Sequence, residues 1–493
     1  MAPATNDCQA AKPPQLSPGS NVGPDSVTVV LDTEGLLADV ADGLDEVTDR
    51  DRRTLVSATA PAPGIDPSAL AFEARLAGDR WFCWEQPDRG FALAAIGTAH
   101  EVVSRGPRRF EEVAQGCLAI GRDRISSGQG ALPAGAGPVW TGGFAFADNG
   151  GADPIWSSFP PALMVLPELS LQREGADVHL TVNVVGGPGV GYEGALEHLR
   201  ARLAAVRDTS LPMLDPARMG RTEIDSVRPP SEFEASVSAA VSRIREGELE
   251  KVVLAREVLL RAPTAYDVAA VFGAMRELFP ACFCFCCGTP EAAFIAASPE
   301  LLIRRSGASA STVALAGSAR RSSDPAVDDH IGERLLQSTK DRSEHEIVAR
   351  RIVSRLRRHA VWVESAPEPG LVKIANIQHL ATPIHAQLAE PRSAVELAGL
   401  LHPTPAVGGD PWPGAGELID ELEGMDRGWY AGPVGWMDAT EDGEFCVSVR
   451  SALLRDREAH LYAGNGIVAD SDPAAELAET ELKLEAMLPL LAD

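Results

Sequence analysis

The chain reads as a mixed α/β body, and three observations predict it. Through the first half, short strand-like runs recur between turns, as in Trp81-Phe82-Cys83-Trp84 and Trp140-Thr141-Gly142-Gly143-Phe144-Ala145-Phe146. In the second half such runs alternate with segments whose apolar residues return every three or four positions. With 493 residues, 45% of them hydrophobic, the chain can bury a large core, and no internal repeat stands out.

Residues 1–27 are rich in Pro, Ala, Ser and Gly without periodicity and read as a disordered tail. Residues 28–230 supply the N-terminal part of the body, and the Pro- and charge-containing stretch 208–230 reads as a connector. Within this part, Gly189-Val190-Gly191-Tyr192-Glu193-Gly194 matches the dinucleotide fingerprint, between a strand-like run at 178–185 and a helical run at 195–206. That strand alternates His179, Thr181 and Asn183 with apolar residues. Such alternation predicts a half-exposed antiparallel strand, whereas a dinucleotide-binding strand is buried on both faces. The glycines are expected to form a turn, and a nucleotide-dependent oxidoreductase is the alternative they leave open.

Residues 231–493 carry most of the chemistry. Ser231 and Glu234 have capping-box spacing, and Phe233, Val237, Val241 and Ile244 continue on one helical face. That helix leads into the strand Lys251-Val252-Val253-Leu254-Ala255-Arg256. Cys282, Cys284, Cys286 and Cys287 alternate with Phe283 and Phe285 as a buried strand would. Zinc sites space their cysteines differently, and cysteine packs well as a small hydrophobe. Further apolar runs at 445–454 and 460–468 complete the strand pattern.

Two acidic motifs stand out, Lys340-Asp341-Arg342-Ser343-Glu344-His345 and Glu476-Leu477-Ala478-Glu479-Thr480-Glu481-Leu482-Lys483. Each places two carboxylates three residues apart, on one face of a helix. Taken alone, either reads as a solvated helix face. Taken together, they offer sparse, hard oxygen ligands, which suit magnesium completing its shell with water and an anionic substrate.

The formal net charge of -26 excludes nucleic acid or an anionic membrane as the main partner. Eight cysteines in a chain this long do not form a disulfide framework, and the N-terminus lacks a basic start followed by an apolar run. A reducing, cytoplasmic setting is expected.

Residues 231–493 resemble the chorismate-utilising enzymes, and within them the isochorismate synthases. The resemblance is carried in order by the Lys251–Arg256 run, Ser298-Pro299-Glu300-Leu301-Leu302, Ala314-Leu315-Ala316-Gly317-Ser318-Ala319-Arg320, and Leu401-His402-Pro403-Thr404-Pro405-Ala406-Val407-Gly408-Gly409. It continues through Asp426-Arg427-Gly428-Trp429-Tyr430-Ala431-Gly432-Pro433-Val434-Gly435-Trp436, Val449-Arg450-Ser451-Ala452 and Ala463-Gly464-Asn465-Gly466-Ile467-Val468. The fold it implies is a single α+β body, two packed β-sheets with helices outside, in four layers.

The resemblance implies that water adds to one ring carbon of chorismate while a hydroxyl leaves another, with Lys251 as base and Glu300 as acid. A basic lysine needs a lowered pKa, which burial or Arg256 could supply, and an acidic glutamate needs an apolar setting. Magnesium would take the ring carboxylate, held by Glu344 and Glu479 with Asp341 and Glu476 as outer partners. Arg450 would meet the side-chain carboxylate, helped by Tyr430 and the backbone at Gly464, with Lys483 as a further cation. Gly317 and Ser318 would contact the ring region.

Related enzymes differ at a few of these positions. Aminodeoxychorismate synthases carry a lysine where this chain has Ala316, and anthranilate synthases lack one at Lys251. Salicylate synthases and the amine-adding enzymes tend to have threonine at the position of Ala406, so these features favour isochorismate over the lyase-type alternative. The stretch Trp84-Glu85-Gln86-Pro87-Asp88-Arg89-Gly90 resembles the menaquinone branch, which favours that pathway over siderophore synthesis. The implied partner is chorismate alone, bound by a cytoplasmic monomer.

Overall fold

Strands from both halves of the chain interleave in two sheets. In a computed structural model, residues 31–493 are described apart from 48–49, 128–130, 188–190, 214–219, 375 and 493. The tail at 1–27 and the first two positions of the glycine turn, Gly189 and Val190, lie outside the described residues.

One sheet has 13 strands and the other 10. In the larger, Phe283–Gly288 lies between Trp81–Gln86 and Ala293–Ser298, so early and late segments alternate. In the smaller, Val139–Phe144 pairs with Pro433–Asp438. Side-chain alternation then separates two cores. Phe285 and Cys287 join Phe82 and Trp84 in the core shared by both sheets, while Cys284 and Cys286 join Cys83 beneath the helices on the far face. Phe91 of the larger sheet stacks on Trp436 of the smaller, centroids 5.6 Å apart, which fixes the two sheets face to face. All seven described cysteines are buried and free, as the strand pattern requires.

Helices cover the outer faces. Thr33–Val47, Pro67–Glu73 and Val268–Leu278 pack on the larger sheet, and Arg109–Gly121, Thr339–Arg357 and Ala394–Leu401 on the smaller. The four-layer α+β architecture expected above is the one observed. No helix of the described residues is long and apolar enough to cross a membrane.

Two local expectations are corrected. The helix at 230 begins with Pro230 at its first position, and no side chain caps it, so Ser231 and Glu234 form no capping box. The cap position is Pro229, whose side chain has no oxygen to accept from the first-turn N–H groups. The strand Asp177–Gly186 is antiparallel to both neighbours, yet Thr181 and Asn183 are buried, not solvated. It runs inside the sheet, where Thr181 and Asn183 find partners: Thr181 Oγ1 lies 3.0 Å from Thr59 Oγ1, and Asn183 Nδ2 donates to Pro167 O. With antiparallel pairing on both sides, the glycine turn opens no dinucleotide fold.

Candidate active site

The candidate residues gather where the chain crosses from one sheet to the other. Pro299 and Glu300 link Ala293–Ser298 of the larger sheet to Leu301–Ser306 of the smaller. Arg450 sits in the link from Gly443–Val447 of the smaller to Ser451–Arg455 of the larger. The two acidic helices approach from opposite sides. Thr339–Arg357 packs on the smaller sheet, and Pro473–Leu484 packs on Glu458–Ile467 of the larger.

These elements line one partly open cavity, about 790 Å³ with the solvent space at its mouth included, whose wall carries Glu300, Gly317, Ser318, Glu344, Ala406, Tyr430, Arg450, Gly464, Glu479 and Lys483, ten of the residues singled out from sequence. Its mixture of two cations, three carboxyls and a few apolar side chains suits a small anionic ring compound. Lys251 lies one layer behind this wall, fully buried at the start of the strand Lys251–Arg261. Its Nζ is 2.7 Å from Glu344 Oε1. A methyl group on Gly466, which belongs to the wall, would overlap both side chains, so the absence of a side chain there makes room for the pair.

Arg256 does not adjoin Lys251. Five residues on, it points to the opposite face of the strand, where it donates to Ser226 and Thr480. The charged neighbour of Lys251 is therefore an anion, Glu344, and not the cation expected.

Glu300 is buried, and loss of solvent pushes its carboxyl up to about 8 against the opposing charges of Lys251 and Lys483. It can hold a proton at neutral pH and give it away. Glu344 goes the other way: burial alone would raise it, but Lys251, Lys483 and Lys340 together hold it below the usual carboxylate range.

Each of three glutamates in the proposed metal set meets a lysine. Besides Lys251–Glu344, Lys483 Nζ lies 2.9 Å from Glu479 and Lys340 Nζ 2.8 Å from Glu476. Glu476 also accepts from Asn465, whose Nδ2 reaches its Oε2 at 3.3 Å, and lies outside the cavity wall. Asp341 sits beneath Gly317 and is raised by burial and by the negative charge of Glu344 and Glu479, against Ser338 and Lys340. Among the described residues, no three His, Cys, Asp or Glu side chains are grouped closely enough to hold a metal unaided. The four carboxylates thus do not form a ready cage. The donor set still fits magnesium, which takes one or two carboxylates and fills its shell with water and substrate. Of the four, Glu344 and Glu479 line the wall, and the charge of each bears on Asp341.

Arg450 is buried in the left-handed region, φ 53°. Its Nη2 donates to His379 Nε2 at 2.6 Å, while Nη1 has no hydrogen-bond partner among the described residues. A buried guanidinium with an unused donor on a cavity suits a carboxylate. Tyr430 stacks on Tyr462, centroids 5.1 Å apart, and its hydroxyl crowds Gly464, where a methyl would come within 3.0 Å. Lys483 also donates to Gly464 O and Asn465 Oδ1, which anchors it across the metal region.

Sequence reading missed three wall or support residues: His379, Tyr462 and Asn465. Asn465 lay inside the Gly464-Asn465-Gly466 motif, whereas His379 is one of several polar residues in the strand Ile377–Leu388, with Gln378, Thr382, His385 and Gln387, and gave no periodic signal. The Trp84–Gly90 stretch, by contrast, is structural. Glu85 pairs with Arg276 at 2.8 Å, and Gln86 and Arg89 both reach Glu444 of the other sheet.

The chorismate binding enzyme family matches residues 42–492, and the chain belongs to it. The salicylate biosynthesis isochorismate synthase of Pseudomonas aeruginosa is 37% identical over 446 residues, spanning 90% of this chain and 91% of that one. The isochorismate synthase MenF of Bacillus subtilis is 32% identical, spanning 92% and 97%. Among solved structures, the menaquinone-specific isochorismate synthase MenF from Escherichia coli superposes with a TM-score of 0.76 at 27% identity, covering 93% of this chain and 99% of that chain.

Proposed function

We infer that the chain is an isochorismate synthase, converting chorismate to isochorismate. The observation that carries this is a protonatable Glu300 on the wall of a cavity with Lys251 buried one layer behind that wall, in a chain that matches isochorismate synthases along nearly its full length. Water attacks one ring carbon and passes its proton to Lys251 Nζ. The ring double bonds shift, and the hydroxyl leaving another carbon takes the Glu300 proton and departs as water. A proton then returns from Lys251 to Glu300, so the net reaction is an isomerisation. Each transfer contributes ~10²–10⁴ in rate.

Arg450 binds one substrate carboxylate through its unused Nη1. Glu344 and Glu479, backed by Asp341 and Glu476, would hold magnesium, which would neutralise the ring carboxylate when bound. Ala406 keeps a hydroxyl out of the cavity wall, in line with release of isochorismate before any further step. The enzyme works as a cytoplasmic monomer. Its product serves menaquinone or siderophore synthesis. The Trp84–Gly90 stretch does not choose between them, since its side chains brace the sheets.

Chromatography of a reaction with chorismate and magnesium tests the reading. Isochorismate without pyruvate supports it, while abundant pyruvate with salicylate reassigns the chain to the lyase-type alternative.

A further inference from the structure

His379 touches two of the residues assigned to substrate at once. The strand Ser309–Arg320 pairs with Ile377–Leu388, and its register slips between Ala316 and Ser318. Gly317 is the extra residue, at φ 76°, and the slip sets Ser318 directly opposite His379. Ser318 Oγ is then 3.1 Å from His379 Nδ1, and Arg450 Nη2 is 2.6 Å from His379 Nε2.

The proton positions follow from the donors available. Arginine has no acceptor, so Nε2 must offer its lone pair to Arg450. A neutral imidazole then carries its one hydrogen on Nδ1, facing Ser318. Ser318 Oγ is thereby made the acceptor of that bond, which leaves its own hydrogen free to turn into the cavity it lines. The imidazole stays neutral because burial, Arg450 and Lys483 outweigh its hydrogen bond to the backbone of Gly317, the residue beside Ser318, which alone favours a second charge.

We propose that His379 is a positioning residue that fixes the Arg450 guanidinium and turns the Ser318 hydroxyl into a donor toward the bound substrate. The proposal rests on the assignment of Arg450 and Ser318 to chorismate, which the test checks separately.

Steady-state kinetics of the full-length enzyme with chorismate and magnesium would compare His379→Gln, His379→Asn, Ser318→Ala and Arg450→Lys, with thermal midpoints for each. Glutamine can keep an acceptor near Arg450 but loses the Nδ1 donor; asparagine does the reverse. Losing one such bond to a charged or substrate-bound group costs about tenfold to a hundredfold. We expect each histidine variant to raise KM by about that factor, with kcat changed far less. Ser318→Ala should raise KM in the parent and in His379→Asn, but add almost nothing in His379→Gln, where the hydroxyl is already misdirected.

An unchanged KM in His379→Gln, or an equal cost of Ser318→Ala in the parent and His379→Gln backgrounds, overturns the proposal. If His379→Gln fails to fold, the KM of His379→Asn still decides, because a merely structural histidine predicts a lower thermal midpoint with KM unchanged. If Arg450→Lys leaves KM unchanged, the assignment of Arg450 fails, and the inference with it. If Arg450→Lys raises KM while neither histidine variant does, the inference alone fails.

Discussion

Lys251 Nζ and Glu344 Oε1 lie 2.7 Å apart, in a pair almost closed to solvent. The contact joins the proposed base to a proposed magnesium ligand, so the two functions share one carboxylate. Binding of a divalent cation at Glu344 would compete for that carboxylate, which couples the two halves of the site.

Replacing the lysine isolates its chemical role. Lys251→Ala should lower kcat by ~10²–10⁴ while leaving chorismate binding largely in place. Calorimetric titration of the variant checks the binding, and turnover within tenfold of the parent would remove Lys251 from its role.

Glu300 predicts a basic limb in the pH profile. Its carboxyl, displaced by burial from the ordinary 4.5 to about 8, must be protonated to act, so kcat should fall as pH rises through about 8. Glu300→Gln should lower kcat and abolish that limb. The same displacement bears on stability. A raised folded value means that the favourable contribution is complete below the unfolded value and is lost as pH climbs through about 8. The glutamine variant should therefore lose less thermal stability than the parent between pH 7 and pH 9, as differential scanning fluorimetry reads.

Magnesium dependence follows from the paired carboxylates. Chelation with EDTA should abolish turnover, and added magnesium should restore it. Glu344→Gln and Glu479→Gln should each raise the magnesium concentration needed, by roughly 10-fold or more for loss of a direct ligand. Full activity in EDTA would rule out the metal role.

Gly317 is predicted to be intolerant of any side chain. At φ 76° an alanine costs ~1–2 kcal/mol, and its methyl would come within 3.1 Å of Asp341 Cβ. Gly317→Ala should lower the thermal midpoint and raise KM together, because the bulge that aims Ser318 depends on it. An unchanged KM would separate the bulge from the site.

Ala406 tests product choice. Ala406→Thr places a hydroxyl on the cavity wall, and the account expects pyruvate or salicylate to accompany isochorismate, as detected by chromatography.

How much of this was legible in the sequence depends on the range of each contact. The spacing within each acidic motif was readable because both carboxylates sit on one helix, and the Cys–Phe alternation at 282–287 because a strand sends successive side chains to opposite faces. The resemblance supplied the site list, ten members of which line one cavity. Pairings across elements were not legible. Lys251–Glu344 and Lys340–Glu476 join segments about 90 and 136 residues apart, which no local period encodes. Arg256 was misread for a related reason: it shares a strand with Lys251 but, five residues on, faces the other way. The Gly317 bulge escaped notice because one extra residue in a strand leaves no mark on composition.

The central claim is that Lys251 activates a solvent water while Glu300 expels the old hydroxyl. Running the reaction in ¹⁸O-labelled water and weighing the isochorismate by mass spectrometry tests it most directly. The account predicts one labelled oxygen per product molecule; unlabelled isochorismate would mean the hydroxyl migrates within the substrate and no water is activated.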